Sequence, residues 1–206
     1  MQQAMMLSRA ARTSVALATM VLVAGAASVA QAQIGSGWTA YAPTKKTDLR
    51  GAGASYTNSG GVETLKMKPG DERAEVRVNN DYTTGQRQFQ GEVRVKSGSN
   101  GSCVYQVFGG VTNATALMVV THNVSGGDLR RYDSQTLATG VYGQWIRLNT
   151  IHNKNNGTVT VYIGGSNKGS FADRGTKNHY TKYGVYNGSS SSPQSEWRST
   201  KYWRKS

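Results

Sequence analysis

From Gly37 onward the apolar positions come in short runs, rich in Val, Tyr, Thr and Trp, that clusters of Gly, Asn and Ser interrupt. That texture predicts many short strands. Arg73-Ala74-Glu75-Val76-Arg77-Val78 alternates polar with apolar residues, and Gln88-Phe89-Gln90-Gly91-Glu92-Val93-Arg94-Val95 does the same. A two-residue period belongs to a strand with one face in a core and the other polar. Further strands are expected over residues 104–108, 116–121 and 179–187. Asn156-Gly157, between Ile151 and Val161, predicts a type I′ hairpin, because both residues tolerate the positive φ that this turn requires. Other turns are expected at 97–101, 125–127, 164–168 and 188–193. No window beyond the first segment sustains a 3.6-residue apolar period, and no repeat of 20 to 50 residues is visible. The expected fold is all-β, an antiparallel two-sheet sandwich or jelly roll.

The first segment differs from the rest. Arg9 and Arg12, with no acidic residue, precede an apolar stretch over residues 15–27, and Ala30-Gln31-Ala32 follows. This is the pattern of a cleavable signal peptide, with cleavage expected after Ala32. Residues 15–27, diluted by Thr19 and Gly25, fall well short of the roughly 20 apolar residues that span a bilayer. The mature chain, residues 33–206, is then expected in the periplasm or outside the cell, with no membrane association. It has one domain's length and can bury a sizeable core.

Cys103 is the one cysteine, so no internal disulfide can form in an exported chain that would permit one. Its setting, Ser-Cys-Val-Tyr-Gln-Val-Phe, reads as a strand with a buried, inert thiol. His122, His152 and His179 lie far apart in sequence, which speaks against a transition-metal site. Neither metal nor cofactor is expected.

The formal net charge is +13, of which Arg9 and Arg12 leave with the signal peptide. Such a balance suits polyanionic partners. Part of it falls on strands. Arg73, Glu75 and Arg77 share one strand face, each arginine about 7 Å along the strand from the carboxylate between them. Held by Glu75, the two guanidinium forks could meet substrate carboxylates in paired hydrogen bonds that lysine cannot reproduce. Strand parity likewise puts Tyr180, Lys182 and Tyr186 on one face and Gln106 with Phe108 on another. Taken singly, each segment reads more readily as ordinary sheet than as a site.

Taken together, the three segments resemble the signature motifs of polysaccharide lyase family 7, the alginate lyases, in the family's order. Arg73-Ala-Glu-Val-Arg77 is similar to its Arg-(Ser/Thr)-Glu-Leu-Arg motif. Gln106-Val-Phe108 is similar to Gln-(Ile/Val)-His with the histidine replaced, and Tyr180-Thr-Lys-Tyr-Gly-Val-Tyr-Asn187 to Tyr-Phe-Lys-Ala-Gly-Val-Tyr-Asn. The resemblance extends from about Val62 to Lys205. It is nearest the branch that includes the plant citrate-binding proteins, which also carry Gln-Val-Phe followed by Gly. It implies a concanavalin A-like jelly roll with a concave substrate groove.

It also implies β-elimination on an acidic polysaccharide, in which a proton leaves the carbon beside a uronate carboxylate. Arg73 and Gln106 would neutralise that carboxylate as charge develops on it. Tyr180 would pass a proton to the departing glycosidic oxygen. Arg77 and Lys182 would hold neighbouring sugars, and Glu75, Tyr186, Phe108, His122 and Arg94 complete the expected substrate-binding set. Phe108 stands where many of these lyases have the histidine base, and phenylalanine moves no proton. Tyr180 acting as both base and acid meets this difficulty when proton and leaving oxygen share one side of the ring, as in mannuronan or glucuronan. His122, at the end of the strand over 116–121, is a second candidate base; His152 and His179 are expected to be structural or surface residues. The alternative is a non-catalytic module that binds acidic glycans or small polycarboxylates such as citrate. Nucleic acid is not an expected partner, since no nucleic-acid fold motif is present, and the mature protein is expected to be a monomer.

Overall fold

The computed structural model describes residues 33–206 apart from 112–113, 176–177 and 189–191; the expected signal peptide lies outside the described residues. Fifteen strands carry the described chain, and no helix occurs in it. One sheet runs through β13 (Ser166–Ala172), β12 (Thr158–Ile163), β11 (Trp145–Asn153), β6 (Gln86–Val95), β15 (Gln194–Lys205), β4 (Val62–Lys66) and β3 (Ser55–Ser59), with β1 (Thr39–Tyr41) also paired to β15. The second runs through β10 (Gln135–Thr139), β9 (Asp128–Arg131), β8 (Leu117–His122), β7 (Cys103–Gly109), β14 (His179–Tyr186), β5 (Arg73–Val78) and β2 (Lys45–Arg50). All the ladders between these strands are antiparallel.

Alternation decides what the sheets bury between them. Val76, Val78, Tyr105, Val107, Leu117, Val119, Tyr183 and Val185 from the second sheet pack with Leu65, Phe89, Val93, Leu148, Val161 and Trp197 from the first. Removing each large apolar side chain from water contributes roughly 1.5–3 kcal/mol. The centre is aromatic: Phe89 stacks on Tyr105 at 4.8 Å, and Tyr183 lies 5.1 Å from Trp197. Cys103 is buried at the start of β7, where desolvation pushes its thiol far above the ordinary range.

Two turns differ from expectation. Asn153 pairs with Thr158, so β11 and β12 are joined by the four residues 154–157, of which Gly157 has positive φ (66°) and Asn156 does not. The two-residue turn comes one hairpin later, at Gly164-Gly165, where both residues have positive φ (60° and 90°) and Ile163 pairs with Ser166. Two consecutive left-handed residues match the right-handed twist of a hairpin, which glycine allows without a Cβ clash. Strand β13 therefore begins inside the expected turn 164–168.

A third glycine shapes the sheet beneath the motifs. Gly184 has φ of 140° and lies where the register between β14 and β7 shifts. A Cβ there would run into the Ala74 carbonyl and come 2.8 Å from Glu75 Cα, so the close approach of β14 to β5 depends on the missing side chain.

Candidate functional site

Antiparallel register carries the three motifs to neighbouring strands. Strand β14 lies between β5 and β7, with Lys182 opposite Arg77 on one side and Gln106 on the other. Tyr180 pairs with Phe108, and Tyr186 with Arg73. Arg73, Glu75, Arg77, Gln106, Tyr180, Lys182 and Tyr186 thus share the outer face of the second sheet, while Thr181, Tyr183 and Val185 point inward, as strand parity requires.

At the centre of this face is a buried carboxylate. Glu75 is 1 % exposed and receives the Lys182 ammonium at 2.6 Å and the Gln106 amide N–H at 2.5 Å. Arg73 lies 3.5 Å from the same carboxylate. Burial raises the Glu75 carboxyl, while Lys182 and Arg73 act to lower it. Asp48, brought in by β2 opposite Glu75, adds a second carboxylate 3.3 Å from Arg73 and 3.5 Å from Lys182. Burial works to raise its carboxyl too, but Lys182, Arg50 and Arg73 outweigh that and hold it low.

Arg77 is organised separately. Its guanidinium meets Asp81 at 2.7 and 2.9 Å, donates to Asn79 at 2.6 Å, and lies 3.9 Å above the Tyr180 ring. Phe108 sits 5.0 Å from that ring at an interplanar angle of 38°. Tyr180 is therefore flanked by a guanidinium and a phenyl ring, an arrangement that fixes the phenol and puts positive charge beside it. Spacing along the strand predicts that Glu75 holds both arginines. In the structure it holds Arg73 and Lys182, whereas the fork of Arg77 is engaged by Asp81. Arg73 also meets Glu72, and its guanidinium stacks 4.8 Å from the Tyr186 ring.

Two expected members lie elsewhere. Arg94 is on β6, in the other sheet, where it bonds Glu196 and stacks 4.7 Å over Trp145. Polar parity put it on an outer face, but of the wrong layer. His122 does share the outer face with Gln106, since β8 pairs with β7. Its place is six residues along β8 from the position opposite Phe108, roughly 20 Å by the rise of a strand. There it lies 3.3 Å from Asp133. It does not reach Tyr180.

The remaining histidines are in the interior. His152 donates or accepts at 2.6 Å with the Tyr82 hydroxyl and 3.2 Å with Asp173, and its ring lies 4.8 Å from that of His179. Burial, with His179 acting in the same direction, pushes the His152 imidazole down to about 4 against the pull of Asp173. Sequence distance had separated residues that folding brings together: ligand atoms of His152, Asp173 and His179 lie within 4.8 Å of one another. The cation that Asp173 faces there is Lys154, at 2.8 Å from the same carboxylate oxygen that meets His152. A metal would have to displace that ammonium, so the group fits an ion-paired network better than a metal centre.

Asp48, Asp81 and Glu72 were missed by sequence reasoning, and they matter because they pair the cations of this face. Lys45-Lys46-Thr47-Asp48-Leu49-Arg50 has a single apolar residue, and nothing local says that β2 lies beside β5. Chemically, the face offers a phenol between a guanidinium and a phenyl ring, one row from a buried lysine and amide.

A family model described as alginate lyase matches residues 57–205. A citrate-binding protein from Hevea brasiliensis is 42 % identical over 136 residues, which are 64 % of this chain and 56 % of the relative's length. Among solved structures, the family 7 alginate lyase AlyA1 from Zobellia galactanivorans superposes with a TM-score of 0.61 at 14 % identity, covering 82 % of this chain and 95 % of that one. Alginate lyase A1-II′, solved in complex with a substrate, gives 0.58 at 15 % identity over 73 % and 81 %. These structural likenesses establish the sandwich, and the match over residues 57–205 establishes descent: the chain belongs to the alginate lyase family.

Proposed function

We propose that the protein is an exported polysaccharide lyase that cleaves a mannuronan- or glucuronan-type polyuronate by syn β-elimination, with Tyr180 serving as base and then acid. The observation that carries this reading is the setting of Tyr180, between Arg77 at 3.9 Å and Phe108 at 5.0 Å, while the neighbouring His179 and His152 are buried in the interior and His122 lies far along β8. A phenol alone must then move both protons, which requires the proton and the leaving oxygen on one side of the sugar ring. The Arg77 guanidinium stabilises the phenolate as it forms. Arg73 and Gln106 meet the uronate carboxylate and Lys182 the adjoining sugar, for which each turns from its Glu75 partner toward the substrate. The test is to incubate the mature protein with glucuronan, polymannuronate, polyguluronate, hyaluronan and pectate and follow the ultraviolet absorbance of a 4,5-unsaturated uronate. Product from the β-linked mannuronate or glucuronate polymers, lost in Tyr180→Phe, supports the reading. No product from any polymer defeats it.

A second reading is favoured by Phe108 itself and by the 42 % identity to a citrate-binding protein. In it the same face binds acidic glycans or small polycarboxylates without turnover. Binding would then be weakened by salt, survive Tyr180→Phe and depend on Arg73 and Arg77; undiminished binding in an Arg73→Ala, Arg77→Ala double variant counts against it.

A further inference from the structure

The motif cations Arg73, Arg77 and Lys182 are matched by acids, but those at one end of the sandwich are not. Arg87 on β6 and Arg204 on β15 are direct cross-strand partners. Both are in phase with the inward-facing Phe89 and Tyr202, so they extend the inner face of their sheet beyond its apolar core. Like charges placed directly opposite are destabilising. Lys205 follows Arg204, and the three residues line a cleft of about 890 Å³ together with Thr39, Gly85 and Asn155. No acidic side chain is among the residues lining it. None of the ion pairs among the described residues includes Arg87, Arg204 or Lys205.

The two guanidinium groups are nonetheless held. Arg87 lies 4.7 Å over the ring of Tyr82, whose hydroxyl is tied to His152 at 2.6 Å. Arg204 lies 5.5 Å over Tyr41, whose ring packs edge-on against Tyr202 at 6.3 Å. A ring behind a guanidinium occupies its flat face and leaves its N–H edge for a planar anion; of that edge Arg87 gives one Nη1–H to the Gln86 carbonyl at 3.0 Å. Held in this way, the groups lose little conformational freedom when an anion arrives. The cleft is of a size that encloses a small ligand.

We infer that this cleft is a second anion site, separate from the Tyr180 face, which takes a compact ligand with two or more carboxylates across Arg87 and Arg204 with Lys205 at its rim. One carboxylate between the two arginines turns a repulsive cross-strand pair into two charge-assisted hydrogen-bonded pairs and displaces no side-chain carboxylate. That distinguishes it from the motif face, where a carboxylate must compete with Glu75, Asp48 and Asp81. The inference stands whichever reading of the Tyr180 face holds.

The shared chemistry has two sources, a free polycarboxylate or the uronates of a polymer, so citrate and a mannuronate trimer are both used as probes. Each is titrated into the ¹⁵N-labelled mature protein while backbone amides are followed. Shifts at Gly37, Thr84 and Gly85 are expected with at least one probe, and the probe that gives them identifies the source. Shifts confined to Tyr180, Lys182 and their neighbours, or none with either probe, overturn the inference. Calorimetry should show at least tenfold weaker binding in Arg87→Gln, Arg204→Gln and less than twofold change in Lys66→Gln, an exposed β4 residue outside both faces. The reverse order overturns it, as does sulfate binding as tightly as the carboxylates. The amide shifts are read on the unaltered chain and so decide the matter even if the arginine variant folds poorly.

Discussion

The Lys182 ammonium rests 2.6 Å from the Glu75 carboxylate, and both side chains are almost wholly removed from water on the outer face of a sheet. A charged pair in that position is sensitive to loss of either member. Glu75→Ala leaves Lys182 with only the more distant Asp48 and removes the acceptor of the Gln106 amide. The expected cost is about 3–5 kcal/mol in chemical denaturation. Adding Lys182→Met should recover a substantial part of it. A loss no larger than about 0.5 kcal/mol for Glu75→Ala would mean that the pair is solvated.

Phe108→His places an imidazole beside Tyr180, across one strand pairing. If the lyase reading is right, the variant gains a base on the other side of the sugar and releases unsaturated product from polyguluronate at least about tenfold faster than the parent. Unchanged polymer preference in a folded, active variant would show that the phenyl ring does not set it.

Acid stability should report His152. Its folded-state value of about 4 lies below the ordinary 6.5 of the unfolded chain, so the unfolded state binds the proton more readily. Stability is therefore lost as pH falls from 6.5 to 4, by up to about 3 kcal/mol, and the loss is complete below 4. Glu75, raised by burial, titrates with the opposite sign, so the comparison with His152→Gln is the readout. Melting temperatures of the variant should fall less steeply across this window. Parallel curves would place the titration elsewhere.

Cys103 should be silent to a thiol reagent in the native protein and react once per chain in denaturant, because its thiol is buried and desolvated at the start of β7. Rapid native labelling would require β7 to open locally.

The strands and the motif face were legible in the sequence because their information is local. A period of two fixes which side chains share a strand face, and so Arg73, Glu75 and Arg77, or Tyr180, Lys182 and Tyr186, could be grouped before any pairing was known. The expected span of β5 matches the observed Arg73–Val78. Replacement of the motif histidine by Phe108 was equally plain.

What the sequence left undetermined is which strands become neighbours and how far they slide. Parity cannot say that Arg94 belongs to the other layer, that His122 is displaced about 20 Å along β8, or that Asp48 arrives beside Lys182 from residues far upstream. Nor could spacing reveal that His152 meets His179 in the interior. Each of these is a long-range register. Register is set by the burial of whole faces and the lengths of turns, so only the assembled sandwich decides which charges face one another and which are left for a ligand.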